Sequence, residues 1–343
     1  MLPRSPQLRA RLQGMADYIV GNGSDLATRE EIKEIVRVAL LPDAERPETA
    51  KNAQIRPTFS QYFKEWSDRP KKSKRHRQLA YRTIMKIMGN HYDWNEVNTA
   101  YYAYLLRGLA NKGYSLNYQG AIIAKLRNVM NEGFLLKYHT NYDYKKFKKP
   151  SEQADTIYLT KEEVNALWRI ELTAPLEQKA RDLFLLGVFT ASRYSDYSTL
   201  STDNIKGSTL EFIQKKTGGK VILPLSPKVE EILLRNEGKA PKLCQQLLNK
   251  NIKEVCRKAG ITQPVTTTMT KGNERETTIT PKYELVSSHT ARRMGATLLY
   301  KSGVSIRQCM LITGHTSEAN FMKYIRITKE ENAQLLANNP FFQ

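Results

Sequence analysis

A largely apolar helix followed by a glycine-turn hairpin is the strongest structural signal in this sequence. Residues 177–190 are apolar in most positions beyond residue 182, which predicts a helix that is largely buried. Further along, residues 210–214 and 221–223 are rich in strand-forming side chains on either side of Gly218-Gly219, and this pattern predicts a β-hairpin. A buried helix and a short hairpin together indicate a domain that is mostly α, with a small antiparallel sheet.

The rest of the second half adds helices around this hairpin. Thr160 and Glu163 have the spacing of a capping box, so a helix is predicted to begin at residue 161. Residues 266–269 and 277–279 are rich in threonine and predict a second, exposed hairpin. The remainder is predicted to be helical. Residues 158–343 are therefore interpreted as one α+β domain with a C-terminal tail.

The first half of the chain is predicted to be helical in two separate regions. Residues 1–50 indicate two short amphipathic helices, and prolines end this region. Residues 57–143 predict four short helices packed as a compact bundle, with Thr58 as the N-cap of the first. Residues 144–157 begin with a run of lysines and are interpreted as a basic linker.

The charge of the chain indicates a polyanionic partner. Its 343 residues include 54 Lys and Arg against 34 Asp and Glu, a formal charge of +20, and a surplus of this size favours nucleic acid. Basic side chains are densest near residue 73 and in the linker, although a solvated helix start or a flexible tether would give the same pattern. The residues predicted to contact DNA are Lys71, Lys72, Lys74, Arg75, Arg77, Lys145, Lys146, Lys148 and Lys149.

Other features of the composition argue against several classes of protein. No apolar run reaches the ~18 residues that a membrane span needs, and the N-terminus lacks the apolar core of a signal peptide. The three cysteines, Cys244, Cys256 and Cys309, form no Cys-x-x-Cys pair, which disfavours structural zinc and suits a reducing compartment. The chain is therefore expected in the cytoplasm, with no membrane partner.

Short motifs in the second half supply side chains for breaking a phosphodiester. Arg193 follows the buried helix, and Arg292 lies three residues after His289, so that these two face one side of a helix. A guanidinium suits the charge that builds on the nonbridging oxygens, because it donates two parallel bonds and stays charged. Asp196, three residues beyond Arg193, is placed to accept bonds from it and fix its orientation.

A proton donor and a nucleophile complete the set. The leaving sugar oxygen needs a proton, which a lysine at a hairpin tip can deliver. Lys216 lies at such a tip, with Lys215 and Lys220 as competitors. A tyrosine hydroxyl such as that of Tyr324 can form a covalent ester with phosphate. Each motif alone is also explained by a surface ion pair, an ordinary turn or a chance helical pair, so only their joint occurrence in this order indicates catalysis.

In the order and spacing of these motifs, the chain resembles the tyrosine recombinases, or phage integrase family. The family pattern is an arginine with an acid three residues later, a hairpin lysine, His-x-x-Arg, Gly-His, and a tyrosine nine residues after that histidine. Residues 158 to about 330 match it through Thr190-Ala191-Ser192-Arg193-Tyr194-Ser195-Asp196, Lys216-Thr217-Gly218-Gly219, Ser288-His289-Thr290-Ala291-Arg292-Arg293, Leu311-Ile312-Thr313-Gly314-His315 and Tyr324. The resemblance implies that the catalytic residues are Arg193, Lys216, His289, Arg292, His315 and Tyr324.

The resemblance also implies a site-specific recombinase that mediates DNA integration and excision. Tyr324 attacks the scissile phosphate to give a 3′-phosphotyrosine, Lys216 protonates the leaving oxygen, and the arginines and histidines assist. No cofactor, ATP or metal ion is expected, because the ester retains the energy of the broken bond. The implied partners are double-stranded DNA recombination sites and further copies of the chain in a tetramer that acts through a Holliday junction. A DNA-bending accessory protein is a further candidate partner.

Upstream, the resemblance implies two more DNA-binding parts. The region 57–143 resembles a core-binding domain of the SAM-like four-helix type, which closes the other side of a DNA clamp. Residues 1–50 resemble the helical tail of an arm-type DNA-binding domain without its strands, so the chain is expected to be truncated or to have a reduced arm domain. The end of the chain, Phe341-Phe342-Gln343, is expected to dock on a neighbouring protomer, since exposing it is unfavourable. The site of action is expected to be the bacterial nucleoid.

Three other functions fit parts of the pattern. A type IB topoisomerase uses a similar residue set, but a separate helical N-terminal domain favours a recombinase; religation without strand exchange would favour the topoisomerase. A non-catalytic DNA-binding regulator of the same fold is disfavoured because all six positions hold the residue types of the family. A metal-dependent nuclease is disfavoured by the lack of a clear cluster of acidic ligands, and loss of cleavage with a chelator would favour it.

Overall fold

The computed structural model describes residues 56–70, 73–153 and 155–325, together with residues 333, 336 and 337. The chain divides into two compact units, Met1–Pro150 and Ser151–Gln343, and this boundary falls inside the predicted linker. Two predictions lie outside the described residues: the arm-domain remnant at residues 1–50 and the docking of the last residues of the chain. Among the helices that the structure describes, none combines the length and apolar character that a membrane crossing requires.

Four helices build the described part of the first unit. They are α1 (Phe59–Asp68), α2 (Lys74–Met88), α3 (Thr99–Asn111) and α4 (Leu116–Leu135), with 3₁₀ turns at Trp94–Glu96 and Asp143–Lys146. Thr58 is the N-cap of α1, and it forms a capping box with Gln61. The predicted cap is therefore confirmed.

The core of the first unit is largely aromatic. Phe59 packs edge-on against Trp94, with ring centroids 5.5 Å apart, and against Tyr101 at 6.3 Å. Tyr144 and Phe147, both from the predicted basic linker, are buried in the same core. The first residues of that linker therefore belong to the packed bundle, because their aromatic side chains are removed from water there.

The second unit is mostly helical. Its first helix, α5 (Lys161–Arg169), begins at the predicted capping box, in which the Thr160 amide donates to Glu163 and the Glu163 amide donates to Thr160. The largely buried helix is α6 (Pro175–Thr190), against which several other helices pack. The remaining helices are α7 (Tyr194–Tyr197), α8 (Pro227–Arg235), α9 (Gln245–Lys258), α10 (Ser288–Lys301), α11 (Ile306–Thr313) and α12 (Glu318–Met322).

Two small antiparallel sheets complete the second unit and confirm the predicted hairpins. Strands β1 (Ile205–Lys206), β2 (Thr209–Ile213) and β3 (Lys220–Pro224) form one sheet in that order. Strands β4 (Pro264–Lys271) and β5 (Glu274–Pro281) form a separate ribbon that is largely exposed. The helix-rich fold with small antiparallel sheets is therefore the one that the pattern predicted.

A glycine brings α10 close to the end of α6. A Cβ atom at Gly295 would overlap the carbonyl oxygen of Val188 and would lie 2.9 Å from the Cα of Ala191, so that the close approach requires glycine. Ala191 ends α6 with a φ of +49°, an uncommon conformation for a residue other than glycine. This close crossing places the residues just after α6 beside Arg292 of α10.

Candidate active site

Tyr324, two residues after α12, lies among histidine rings and guanidinium groups. Its ring centroid is 5.2 Å from that of His289 and 4.7 Å from that of His315. The guanidinium carbons of Arg292 and Arg293 lie 5.5 and 5.6 Å from the same centroid, within the range of a cation–π contact. The structure therefore brings four of the six predicted catalytic side chains into direct contact.

Arg292 is held rigidly by the backbone around it. Only 1% of its surface is exposed. It donates to the carbonyl oxygens of Ala191, at 3.3 Å, and Thr313, at 2.6 Å. Burial lowers the pKa of Arg292 to about 10, and the nearby charge of Arg193 contributes to the shift. The cation is still the main form at neutral pH, and its neutral partners leave its charge available to an anion such as phosphate.

Arg193 is oriented by a glutamine rather than by Asp196. It donates to Oε1 of Gln214 at 3.1 Å and to the carbonyl oxygen of Gly314 at 3.4 Å. Asp196 instead accepts from the backbone amide of Lys215 at 3.0 Å and from the hydroxyl of Ser195 at 3.1 Å. The predicted bond between Asp196 and Arg193 is therefore wrong. Arg193 precedes α7 in an extended conformation, so the three-residue spacing within a helix does not apply to it.

Gln214 is a site residue that the sequence interpretation missed. It follows β2 directly and only 1% of its surface is exposed. A polar residue before a basic loop is ordinary, so composition gave no reason to single it out. The one usable signal was the alternation of strand β2, in which Leu210 and Phe212 are buried and the next inward position is 214.

His315 has a defined neutral tautomer. The hydroxyl of Thr313 donates its hydrogen to the carbonyl oxygen of Cys309 at 2.7 Å, so it accepts from Nδ1 of His315 at 2.8 Å. Nε2 is then the lone-pair side, and it faces Nη2 of Arg292 at 3.3 Å. Burial of the ring lowers the pKa of His315 to about 4, with further lowering by the charges of Arg292 and Arg193.

His289 lies at the start of α10, three residues before Arg292, as predicted. Burial of the ring lowers its pKa below the usual value, and the charges of Arg293 and Arg292 lower it further. Lys216 adds a smaller effect in the same direction. Both histidines of the site are therefore mainly uncharged at neutral pH in the protein without DNA.

Lys216 lies in the exposed loop that joins β2 and β3. The turn is closed by the Gly218 amide, which donates to the carbonyl oxygen of Gln214 at 2.8 Å. Its competitor Lys220 is engaged in an ion pair with Glu211 on the paired strand, at 2.8 Å. This contact holds the ammonium group of Lys220 against the sheet, whereas Lys215 and Lys216 lie in the loop.

The basic residues predicted to contact DNA fall into different environments. Lys74, Arg75, Lys145, Lys146, Lys148 and Lys149 are all exposed. Lys145 lies over the ring of Tyr142, 4.5 Å from its centroid, and Lys146 pairs with Asp143 at 2.9 Å. Lys71 and Lys72 lie outside the described residues.

Arg77 differs from the exposed site that the sequence predicted. Only 4% of its surface is exposed, its guanidinium lies 5.0 Å from the ring centroid of Trp66, and it donates to the carbonyl oxygen of Arg69. Helical periodicity explains the difference. Arg77 shares the inward face of α2 with Ala80 and Ile84, three and seven residues later.

Residues 158–331 match the phage integrase family. This stretch is half of the chain and contains all six predicted catalytic residues. The chain is a member of the phage integrase family. This integrase is therefore a site-specific DNA recombinase, an enzyme that breaks and rejoins DNA strands, as the resemblance predicted. A comparison with curated protein sequences gives no match.

Several solved integrase structures share the fold of this integrase. A lambda integrase tetramer bound to a Holliday junction superposes with a TM-score of 0.59 at 16% identity, covering 95% of this chain and 88% of that chain. A lambda integrase dimer bound to a COC′ core site gives 0.60 at 15% identity, with 87% of each chain covered. The Tn1549 transposon integrase, residues 82–397, in complex with circular intermediate DNA gives 0.56 at 14% identity, covering 81% and 98%. At these identities the likeness shows a common fold.

Within the residues that the structure describes, no group of three or more His, Cys, Asp or Glu side chains is arranged to hold a metal ion.

Proposed function

We propose that Tyr324 is the nucleophile of this recombinase. Its Oη forms a bond to the scissile phosphorus, the bond from phosphorus to the 5′ oxygen breaks, and a 3′-phosphotyrosine results. Neutral His289, in ring contact with Tyr324, is placed to take the phenol proton. The observation that supports this role is the convergence of His289, Arg292 and His315 on the ring of Tyr324.

Arg193 and Arg292 bind the scissile phosphate in this proposal. Both guanidinium groups are fixed by carbonyl or amide oxygens before DNA arrives, so little reorganisation is needed when charge builds up on the phosphate. A phosphate at this position would also offset the mutual repulsion of the two arginines. His315, whose Nε2 faces Arg292, lies where it can support the same oxygens.

Lys216 gives its ammonium proton to the leaving 5′ oxygen. Its exposed loop is free of the ion pair that engages Lys220, so that the side chain can extend to a bound duplex. The ester then reacts with the 5′ hydroxyl of a partner strand, which reverses the step. Atoms and charge balance without ATP or a cofactor, because each phosphoester bond that breaks is replaced by another.

The first unit is proposed to be the core-binding domain, with its SAM-like four-helix bundle against one side of the duplex. The exposed basic residues Lys74, Arg75, Lys148 and Lys149 are proposed to contact DNA phosphates. Lys145 and Lys146 would contact phosphates after leaving their present partners, Tyr142 and Asp143. The prediction for residues 1–50, an arm-domain remnant, stays a prediction. The partners are double-stranded recombination sites and three further copies of the chain, supported by the DNA-bound dimer and tetramer of lambda integrase.

Because its substrate is DNA, the enzyme is proposed to act in the bacterial cytoplasm, at the nucleoid. An accessory DNA-bending protein remains a candidate partner.

The decisive experiment is adduct formation on a nicked suicide duplex that carries the recombination site. Wild-type protein should give a covalent complex that survives denaturing detergent, and the DNA-linked peptide should contain Tyr324. Tyr324→Phe should bind the same duplex with similar affinity and form no adduct, whereas Tyr300→Phe, a matched change on α10, should behave as wild type. An adduct in Tyr324→Phe would assign the nucleophile to another residue. Loss of the wild-type adduct with a chelator would support a metal-dependent reaction instead.

A further inference from the structure

We propose that Gln214 is a positioning residue that sets the phosphate clamp and the proton-donating loop together. The inference rests on the proposed function and extends it. The lysine loop is defined here as residues 214–219, which join β2 to β3. Gln214 is its first residue, and its buried side chain reaches from the loop to Arg193.

A single oxygen of Gln214 serves both parts of the site. Oε1 accepts from Nη1 of Arg193 at 3.1 Å and from the hydroxyl of Thr217, within the lysine loop, at 2.7 Å. Arginine has no acceptor, so the amide must present its oxygen to Arg193. The orientation of Arg193 and the conformation of the loop therefore depend on the same atom.

The amide nitrogen of the same side chain shows that this arrangement carries an energetic cost. Nε2 of Gln214 is buried and, in the described part of the chain, has no hydrogen-bond partner. A buried donor without a partner is unfavourable. An apolar side chain would avoid that penalty but would leave Arg193 without its side-chain acceptor. The glutamine is therefore explained by the site rather than by packing alone.

Backbone contacts join the same residue to the rest of the site. The amide of Gln214 donates to the carbonyl oxygen of Gly219 at 2.9 Å, and its own carbonyl accepts from Gly218 at 2.8 Å, which closes the loop. Its side chain occupies the space left by Gly314, where a Cβ atom would overlap the amide. Gln214 thus touches the Arg193 segment, the lysine loop and the Gly314-His315 segment.

The consequence is a mechanical link between two catalytic functions. When Lys216 approaches the leaving oxygen, the side-chain bond from Thr217 to Gln214 supports the closed form of the loop beside its backbone bonds. Arg193 then stays oriented toward the phosphate through the same amide oxygen. We expect the removal of Gln214 to impair both protonation of the leaving group and stabilisation of the phosphate charge.

The test uses three substrates and three variants of the full chain. The substrates are a nicked duplex with a normal scissile phosphodiester, one with a 5′-bridging phosphorothiolate, which leaves without a proton, and one with a methylphosphonate, which develops less negative charge. Gln214→Met keeps the length of the side chain and removes both polar atoms. Thr217→Val removes only the loop hydroxyl. Gln178→Met, an exposed glutamine on α6, is the control.

On the normal substrate, Gln214→Met should form the covalent complex about 10- to 100-fold more slowly than wild type, the range expected for misplaced catalytic groups. Each modified substrate should recover part of that loss. Thr217→Val should show a smaller loss that only the phosphorothiolate recovers. Gln178→Met should match wild type on all three substrates.

Two outcomes would overturn the proposal. One is a wild-type rate for Gln214→Met on the normal substrate. The other is a loss of the same size on all three substrates, which would indicate a structural defect only. If Gln214→Met does not fold, Thr217→Val decides the matter: equal rates to wild type on every substrate would reject the link. Failure of the proposed function would differ from both, because the wild type itself would then form no adduct at Tyr324.

Discussion

Burial and neighbouring charges shift the pKa values of individual residues in this site. Arg292 loses its hydration inside the domain, and the neighbouring Arg193 disfavours its charged form further, so its pKa falls to about 10. Burial lowers the pKa of His315 and of His289, the charges of Arg292 and Arg193 lower both further, and the two rings are mainly uncharged at neutral pH. The site therefore carries a positive charge that a bound anion would neutralise, as a phosphate-binding site requires.

His315 should make the protein less stable in acid. Its pKa is about 4 in the folded protein, below the usual value of about 6.5, so the unfolded chain binds the proton first as the pH falls. The free energy of unfolding should therefore decrease as pH is lowered from about 6.5 to about 4. Thermal melts across this range should show a smaller decrease for His315→Asn than for wild type.

His76→Asn, an exposed change on α2, is the control for that measurement and should follow the wild type. Identical pH dependence in His315→Asn and wild type would show that this histidine is not the group responsible.

At the scale of elements, two packing features assemble the site. The crossing of α6 and α10, which Gly295 permits, brings Arg292 to the carbonyl of Ala191. The hairpin of β2 and β3 delivers Gln214 and Lys216 to the same region, with Gln214 in contact with Arg193. Neither feature contains the complete set of candidate catalytic residues by itself, so the site depends on how they pack.

The hairpin makes a prediction about which lysine donates the proton. Lys216→Ala should slow cleavage of a normal phosphodiester by about 100-fold or more, the scale typical of a lost general acid. A 5′-bridging phosphorothiolate should restore most of the rate, because a thiolate leaves without protonation. Lys220→Ala removes a charge already paired with Glu211 and should change the rate on both substrates only slightly. No rescue for Lys216→Ala, together with rescue for Lys215→Ala, would move the role to Lys215.

At the scale of the whole molecule, charge and domain structure act together. The chain carries a formal charge of +20 and divides into two compact units, each with its own hydrophobic core. Binding to a DNA backbone releases counterions, so affinity should fall steeply as salt is added. The basic residues differ in what they contribute to this, since some are exposed and one is buried.

Arg75 and Arg77 offer a matched comparison on one helix. Arg75 is exposed, so Arg75→Ala should weaken DNA binding and reduce the slope of log affinity against log salt by about 1. Arg77 is buried against Trp66, so Arg77→Ala should lower the melting temperature and leave that slope nearly unchanged. Binding titrations at several salt concentrations, with a melt of each variant, separate the two effects. An unchanged slope for Arg75→Ala would remove it from the interface.

Local patterns in the sequence determined much of this protein. The capping boxes at Thr58 and Thr160, the buried helix α6 and both hairpins follow from short-range periodicity and turn chemistry, and the order of the motifs predicted the family. Such features depend on residues a few positions apart, so a sequence displays them directly.

Only the tertiary structure decided which side chains bond to each other and which are buried. From the sequence, Arg193 was predicted to bond Asp196 and Arg77 was predicted to contact DNA. In the folded chain, Arg193 bonds Gln214 and Arg77 is buried against Trp66. A hydrogen-bond partner or a buried face is set by segments that are distant along the chain and meet only on packing. The residue types of the candidate site were therefore readable from the sequence, while their positioning, through Gln214 and the crossing of α6 and α10, required the fold.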